Sequence, residues 1–176
     1  MTSLTLRLAT RDDVPALTAL MDAAITSHLP AVLTPEQVES SRMIMGLDTM
    51  LIDDGTYFVV EIDGQLAGCG GWSRRNTLYG GDHTPGRVPE LLDPRTDPAR
   101  VRAMYTAAGF ARRGVGKAIL DAGETAARAE GFSHVQLAAT MSGLPLYRAC
   151  GYAPVEEFTD ASGGVPVPLV RMLKAI

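Results

Sequence analysis

A glycine loop between a predicted strand and a predicted helix constrains the fold of this chain more than any other feature. The loop runs from Ala111 to Lys117 and reads Ala-Arg-Arg-Gly-Val-Gly-Lys, and the segment Val101 to Thr106 before it predicts a strand. From Gly114 to Glu130, apolar residues recur at the i, i+3, i+4, i+7 spacing of an amphipathic helix. The three segments together predict a strand-loop-helix unit of an α/β or α+β fold.

The N-terminal part of the chain predicts one strand and two helices. Residues 4–8 alternate apolar and polar side chains, which is typical of a strand. Thr10 and Asp13 form a variant of the capping box at a first helix start. The run Thr34-Pro35-Glu36-Gln37 has a capping threonine, a proline at the first position and a glutamine at the third, so it predicts a second helix that extends to about Met45.

A hairpin and a long loop follow. Asp63-Gly64 is a strong two-residue turn signal, and it joins the strand-like segments Tyr57 to Ile62 and Gln65 to Cys69. The next segment, residues 73–100, contains four prolines and three glycines without a helical or strand pattern. A loop of this length in a compact domain is either functional or mobile.

The C-terminal part predicts three more strands and a short helix. These are the strand Val135 to Ala139, the helix Leu144 to Cys150, and an antiparallel pair formed by Val155 to Phe158 and Val167 to Leu173. The predicted order is β-α-α-β-β-loop-β-α-β-α-β-β. We therefore expect one domain over residues 1–176, with a long loop insertion at 73–100.

Bulk properties narrow the class of protein. The chain has 176 residues, 46% of them hydrophobic, so a sizeable core is expected. A net charge of -4 disfavours nucleic-acid binding, which usually needs a basic face. No signal-peptide pattern and no apolar run of membrane-spanning length is visible, so we expect a cytoplasmic location and no membrane partner. The two cysteines, Cys69 and Cys150, predict free thiols rather than a disulfide framework.

The glycine loop is suited to binding a phosphate. Unpaired N–H groups and the macrodipole at a helix start favour an anion, and Gly114 and Gly116 allow close approach. The Walker A pattern is absent, and Ile119 stands where a dinucleotide fingerprint needs its third glycine. The loop alone leaves two interpretations open, namely a phosphate site and an ordinary helix start with a solvated basic cluster.

Two stretches taken together resemble a known superfamily. The first is Val101-Arg102-Ala103-Met104-Tyr105-Thr106 with the segment Phe110 to Leu120, and it is similar to a motif written Gln/Arg-x-x-Gly-x-Gly/Ala. The second is Leu146-Tyr147-Arg148-Ala149-Cys150-Gly151-Tyr152, which is similar to Phe-Tyr-x-x-x-Gly-Phe/Tyr. In their order, their separation and the order of predicted elements, they resemble motifs A and B of the GCN5-related N-acetyltransferase (GNAT) superfamily.

This resemblance implies an acyl-CoA N-acyltransferase fold, with a mixed, mostly antiparallel central sheet flanked by helices, and acetyl-CoA as cosubstrate. It implies that Met104 and Thr106, on a strand with a β-bulge, pair by backbone with the pantetheine and acetyl groups. The Met104 N–H would stabilise the oxyanion, and Tyr147 would protonate the departing thiolate. The CoA pyrophosphate would be held by the backbone of Ala111, Arg112, Arg113, Gly114, Val115, Gly116 and Lys117.

The sequence departs from the family pattern at two positions. Ala111 replaces Gln or Arg at the first position of motif A, and Thr140 stands where many members have Asn near the pantetheine. Backbone contacts tolerate the first change, whereas the second leaves the Thr140 contact open. Tyr147 also has an alternative interpretation as a packed helix aromatic.

Other candidate residues are less constrained. The general base is not identified, and Glu61, Asp82 and His83 are the candidates, each with the alternative of an ordinary surface residue. The three histidines show no metal-ligand spacing, so no metal is predicted. Trp72 is interpreted as a packing residue with a substrate wall as the alternative, and the loop 73–100 either recognises the acceptor or a second subunit, or is a variable excursion.

The predicted function is therefore N-acetyl transfer from acetyl-CoA to a primary amine of a small molecule or peptide, by direct attack in a ternary complex. Two alternatives remain, a non-catalytic CoA-binding module of the same fold and a nucleotide-phosphate binder of another class. Members of the family commonly dimerise, which leaves a homodimer open. The acceptor is not identified.

Overall fold

The computed structural model describes all 176 residues, and its centre is one seven-stranded sheet. The strands follow the order β1-β2-β3-β4-β5-β7-β6, and every neighbouring pair is antiparallel except β4 and β5. The strands are β1 (Leu4–Leu8), β2 (Tyr57–Ile62), β3 (Gln65–Ser73), β4 (Ala99–Thr106), β5 (His134–Thr140), β6 (Ala153–Asp160) and β7 (Val167–Ala175). The mixed, mostly antiparallel sheet expected from the sequence is confirmed.

Five α-helices flank the sheet. They are α1 (Val14–His28), α2 (Pro35–Ser41), α3 (Thr49–Asp53), α4 (Val115–Ala129) and α5 (Leu144–Ala149). None of them is both long enough and apolar enough to cross a lipid bilayer.

The two faces of the sheet carry separate hydrophobic cores. One core contains α4 and α5, with Ile119, Leu120 and Tyr147 packed on buried residues of the sheet. The other lies under α1 to α3, around Leu17, Leu51 and Tyr57. Because both faces are covered, the central strands are buried on both sides, and the sheet holds the residues at its middle in fixed positions.

Two helices differ from the prediction. The second helix ends at Ser41 rather than near Met45, because Ser40 and Ser41 turn their hydroxyls to the backbone carbonyls of Val165 and Val38. Serine hydroxyls that bond to the backbone compete with continued helix. The short helix α3 was not predicted, although the Asp48 side chain caps it by accepting a hydrogen bond from the Met50 N–H.

The long segment between β3 and β4 is bound to the body of the protein along its length. The Asn76 N–H donates to the Glu90 carbonyl, and the Leu92 N–H donates to the Arg74 carbonyl, so the segment folds back on itself. Further along, the Asp82 N–H donates to the Leu47 carbonyl at 2.9 Å. The segment thereby covers the region between α2 and α3, next to the middle of β4.

Candidate active site

A cleft opens where β4 and β5 separate. The two strands are paired only at Ala99 with Val135 and at Arg100 with Gln136. Beyond Arg100, the edge of β4 that faces β5 has no strand partner. The resulting cleft has a volume of about 550 Å³ and is bordered by the ends of α1, α4 and α5.

A β-bulge shapes the middle of β4. Cys69 of β3 pairs with Tyr105 and Gly71 pairs with Arg102, so Ala103 and Met104 stand opposite Gly70 alone. Ala103 has a φ of 50°, which is the left-handed region that a non-glycine residue seldom adopts. The Tyr57 hydroxyl donates to the Ala103 carbonyl at 2.6 Å and fixes this conformation. The bulge thus turns the β4 backbone at Met104 toward the cleft region.

The glycine loop presents a run of free backbone donors. None of the N–H groups from residue 111 to residue 117 donates a hydrogen bond to another group of the protein. Arg112 and Gly114 both adopt left-handed conformations, with φ of 61° and 83°, and α4 begins at Val115. Successive free N–H groups at the start of a 15-residue helix form an anion-binding concavity. The loop therefore has the geometry to hold a phosphate.

The cleft brings together all but one of the catalytic and CoA-binding residues that the family resemblance implied. Arg113 is the exception, since its guanidinium lies over the Phe110 ring at 5.1 Å instead of lining the cleft. The predicted residues that do line it are Met104, Thr106, Ala111, Arg112, Gly114, Val115, Gly116, Lys117, Thr140 and Tyr147.

Tyr147 lies in the cleft with a free hydroxyl. Its ring is buried in an edge-to-face contact with Tyr152, at 6.0 Å between ring centroids. The hydroxyl makes no hydrogen bond within the protein, although the residue lines both the cleft and the cavity beside it. Burial raises the pKa of this hydroxyl above the ordinary value of 10.0, so it stays protonated at neutral pH. A protonated phenol in this position can donate a proton to a group in the cleft.

The three residues named as candidate bases lie away from the cleft. Glu61 bonds to Arg7 at the surface, Asp82 accepts a hydrogen bond from the Thr49 N–H, and His83 bonds to the Arg42 carbonyl. None of the three lines the cleft or the cavity beside it.

His28 also lies in the cleft, and no local pattern in the sequence indicated this position. Its Nε2 lies 2.8 Å from the Thr106 carbonyl oxygen, so Nε2 carries the proton and donates it. The contact joins the end of α1 to the end of β4, across 78 positions of the chain. A carbonyl oxygen has two lone pairs, which leaves Thr106 able to accept a second hydrogen bond.

Trp72 and the two arginines after it have structural partners. Trp72 is 2% exposed and packs against Phe132, which agrees with the packing interpretation. Arg74 pairs with Glu130, and Arg75 pairs with Asp54. Packing and ion pairs thus account for the positions of these three side chains.

A small cavity adjoins the cleft on the side of the long loop. It has a volume of about 80 Å³ and shares Met45, Met104, Tyr105, Thr140 and Tyr147 with the cleft. Twelve of its 16 lining residues are hydrophobic, and Arg102 is the only charged one. A small molecule in this cavity would therefore lie next to the same stretch of β4 that borders the cleft.

Several solved structures of acetyltransferases have the same fold. The GCN5-related N-acetyltransferase from Rhodopseudomonas palustris superposes with a TM-score of 0.73 at 18% identity, over 99% of this chain and 96% of that chain. The PaiA N-acetyltransferase from Thermoplasma acidophilum, in complex with coenzyme A, gives 0.67 at 14% identity, over 99% of both chains. The ribosomal-protein-alanine N-acetyltransferase from Brucella melitensis gives 0.65 at 18% identity, over 98% of this chain and 99% of that one.

The sequence matches no curated protein at a significant level. It does match a family profile, that of the Acetyltransferase (GNAT) family, from residue 18 to residue 152. This range includes the cleft, the bulge of β4, the glycine loop and Tyr147. The chain therefore belongs to the GNAT family of acetyltransferases.

Proposed function

We propose that this protein transfers the acetyl group of acetyl-CoA to a primary amine, with both substrates bound at once. The observation that carries the proposal is the run of free N–H groups from residue 111 to residue 117, which opens into the cleft between β4 and β5. The cleft volume of about 550 Å³ is of the size that small-molecule and cofactor sites usually have. We further propose that residues 1–176 form one such domain.

Three groups of residues would hold acetyl-CoA. The free N–H groups of the glycine loop bind the pyrophosphate, and the side chains of Arg112 and Lys117 add positive charge beside it. The backbone of Met104 and Thr106 pairs with the pantetheine arm along the unpaired edge of β4. Thr140, at the end of β5, borders the same part of the cleft from the opposite strand.

Acetyl-CoA supplies the acetyl group as a thioester, and two groups of the protein assist its transfer. The Met104 N–H at the bulge donates to the acetyl carbonyl oxygen and stabilises the negative charge that forms there. The Tyr147 hydroxyl donates its proton to the sulfur as the amine displaces it, and the proton that the amine nitrogen loses restores the phenol. Holding both substrates in one orientation provides much of the remaining acceleration.

Ligand-induced thermal stabilisation tests the binding part of this proposal. Acetyl-CoA at about 100 times its Kd should stabilise the folded protein by about 2.7 kcal/mol, which corresponds to a rise of several degrees in Tm. ATP at the same concentration should stabilise it less. A larger shift with ATP would favour a nucleotide-phosphate binder of another class, and no shift with acetyl-CoA would contradict both CoA-based functions.

Release of CoA thiol tests the catalytic part. Incubation with acetyl-CoA and a broad panel of primary amines should give thiol release that depends on the amine. Stabilisation by acetyl-CoA without thiol release from any amine would instead favour a non-catalytic CoA-binding module.

A further inference from the structure

A buried arginine, Arg102, lines the small cavity and also a second, more polar cavity that is lined by its partner Asp48. Arg102 is on β4, two positions before Met104, and its side chain is only 2% exposed. It is the only charged residue that lines the cavity of about 80 Å³. Arginine is seldom buried to this extent unless its donors are fully used.

Most of the donors of Arg102 are not used. Only Nη2 makes hydrogen bonds, to Asp48 Oδ2 at 3.1 Å and to the Gly80 carbonyl oxygen at 2.6 Å. The Nε is buried without any partner, and Nη1 donates to no group of the protein. A guanidinium has five N–H donors, so three donors of Arg102 have no acceptor within the protein. Buried polar groups nearly always have a partner, so a ligand that accepts hydrogen bonds fits this position.

Near Arg102, one buried carboxylate is shared between two cations. Asp48 is shared between Arg102 and Arg87, whose Nη1 lies 3.0 Å from Asp48 Oδ1. Asp48 also caps α3, so each of its oxygens already has a partner. Asp82 lies 3.8 Å from Arg87, but its side chain is 48% exposed and is screened by water. One buried carboxylate therefore faces two cations, and an anionic ligand would balance them.

We infer that Arg102 binds a carboxylate of the acceptor, and that the acceptor is a small molecule with a primary amine and a carboxylate. This inference rests on the proposed function, because it concerns the acceptor of the proposed acetyl transfer. The cavity and the cleft share Met104 and Tyr147 in their walls. The carboxylate accepts hydrogen bonds from the free donors of Arg102, and the amine reaches the acetyl group beside Met104. The otherwise apolar lining suits a short hydrocarbon between the two groups.

Acceptor kinetics with matched amines test this inference. The probes are ω-amino carboxylates from glycine to 5-aminopentanoate, each compared with its primary amide, which keeps the amine and the chain length but lacks the negative charge of the carboxylate. For the best chain length, kcat/KM should favour the carboxylate about 10- to 100-fold, the range expected for a charge-assisted hydrogen bond in a buried site. Equal kcat/KM for acid and amide at every length would overturn the inference and leave the proposed function standing.

Two variants test whether Arg102 causes the preference for the carboxylate over the amide. Arg102→Lys keeps the charge but loses the planar set of donors, and it should reduce the acid-to-amide ratio about tenfold or more. Arg100→Lys is the matched control, because Arg100 is a buried arginine of the same strand that bonds to Pro98 and Asn76 and lines neither the cavity nor the cleft. It should leave the ratio unchanged. An equal drop in both variants would contradict the assignment.

A binding measurement on the wild-type protein tests this inference separately from the proposed function. It also remains possible if the Arg102 variant does not fold. Calorimetric titration of wild-type protein, saturated with CoA, uses N-acetylated ω-amino carboxylates and their amides as ligands. Binding of the acid at least about tenfold tighter than the amide supports the inference even if no amine releases thiol. No preference for the acid in either measurement rejects it.

Discussion

At the scale of single residues, the candidate active site contains polar groups that the fold buries or encloses without giving them a protein partner. Tyr147 is one example, since its ring is packed on Tyr152 while its hydroxyl makes no hydrogen bond. A structural tyrosine that is buried usually finds a partner, as Tyr152 does with Glu124 at 2.9 Å. The difference between these two tyrosines supports a functional role for the first.

Replacing Tyr147 with Phe should lower kcat about 100-fold or more, because proton donation to the thiolate is lost, and should change acetyl-CoA affinity less than about threefold. Tyr152→Phe is the matched control, and it should reduce stability without a comparable loss of kcat. Because burial holds the pKa of Tyr147 above its ordinary value, the effect of Tyr147→Phe should be constant between about pH 6 and pH 9. Steady-state thiol release and calorimetry measure the two quantities, and an equal loss of binding and turnover would support the packing interpretation instead.

The sequence could predict those residues of the candidate site that lie in short local motifs. Tyr147 and the residues of the glycine loop lie in short patterns, so their positions in the cleft could be expected. Arg102 lies inside the first motif, but its significance depends on Asp48, 54 positions away in the chain. His28 meets Thr106 across 78 positions, and no local pattern indicates that contact. Such residues become visible only when the strands and helices are packed together.

At the scale of secondary-structure elements, the start of α4 is where backbone conformation matters most for the proposed binding of acetyl-CoA. Gly114 has a φ of 83°, and a Cβ added there would meet no atom within 4 Å. An alanine at this position would therefore disturb the loop through its backbone conformation alone, at a cost of about 1–2 kcal/mol.

Gly114→Ala should accordingly weaken acetyl-CoA binding about tenfold, since the free N–H groups would no longer converge. Arg113→Ala is the control, because the Arg113 side chain lies over Phe110 and not in the cleft, and it should change the Kd less than about threefold. Calorimetric titration with acetyl-CoA measures both. A stronger effect from Arg113→Ala would mean that side chains, and not the backbone, hold the pyrophosphate.

The start of the first helical segment gives a test of stability against pH. Asp13 accepts a hydrogen bond from the Thr10 N–H at 2.7 Å and bonds to both Nη atoms of Arg7. The hydrogen bonds from Arg7 are the main cause that lowers the pKa of Asp13 from 3.8 to about 2. A lowered folded-state pKa means that the stabilisation is complete above the ordinary value and is lost as the pH falls toward 2.

Asp13→Asn should therefore lower the free energy of unfolding by about 1 kcal/mol near neutral pH, and the difference from wild type should shrink between about pH 4 and pH 2. Asp12→Asn is the control, since Asp12 is exposed and makes no hydrogen bond, and it should have little effect. Urea unfolding at a series of pH values measures the difference. A difference that grows as the pH falls would contradict this role of Asp13.

The elements themselves were largely predictable because most carry clear periodicity or turn signals. The hairpin at Asp63-Gly64 and the helix after the glycine loop lie where the sequence indicated, to within a few residues. The two errors, an overlong α2 and the missing α3, concern short helices between residues 35 and 53. Short helices depend on caps and tertiary contacts more than on propensity, so periodicity alone describes them poorly.

At the scale of the whole molecule, two hydrophobic cores on opposite faces of one sheet hold β4 and β5 in place on either side of the cleft between them. The segment between β3 and β4 was expected to be either functional or a variable excursion. Its residues Leu78, Tyr79 and Gly80 form one wall of the small cavity, and its Gly80 carbonyl accepts a hydrogen bond from Arg102. The cavity could not be deduced from the sequence, because it forms only where the long segment, the residues after α2, and the strands β4 and β5 meet.

The measurement that tests the central claim most directly is the stoichiometry of the products. Purified protein is incubated with acetyl-CoA and an accepted primary amine, and CoA thiol and N-acetylated amine are quantified together by mass spectrometry. We predict equal amounts of both products, formed only when protein, acetyl-CoA and amine are all present. Thiol without N-acetylated amine, or no thiol with any amine when the protein is saturated with acetyl-CoA, would contradict acetyl transfer to an amine.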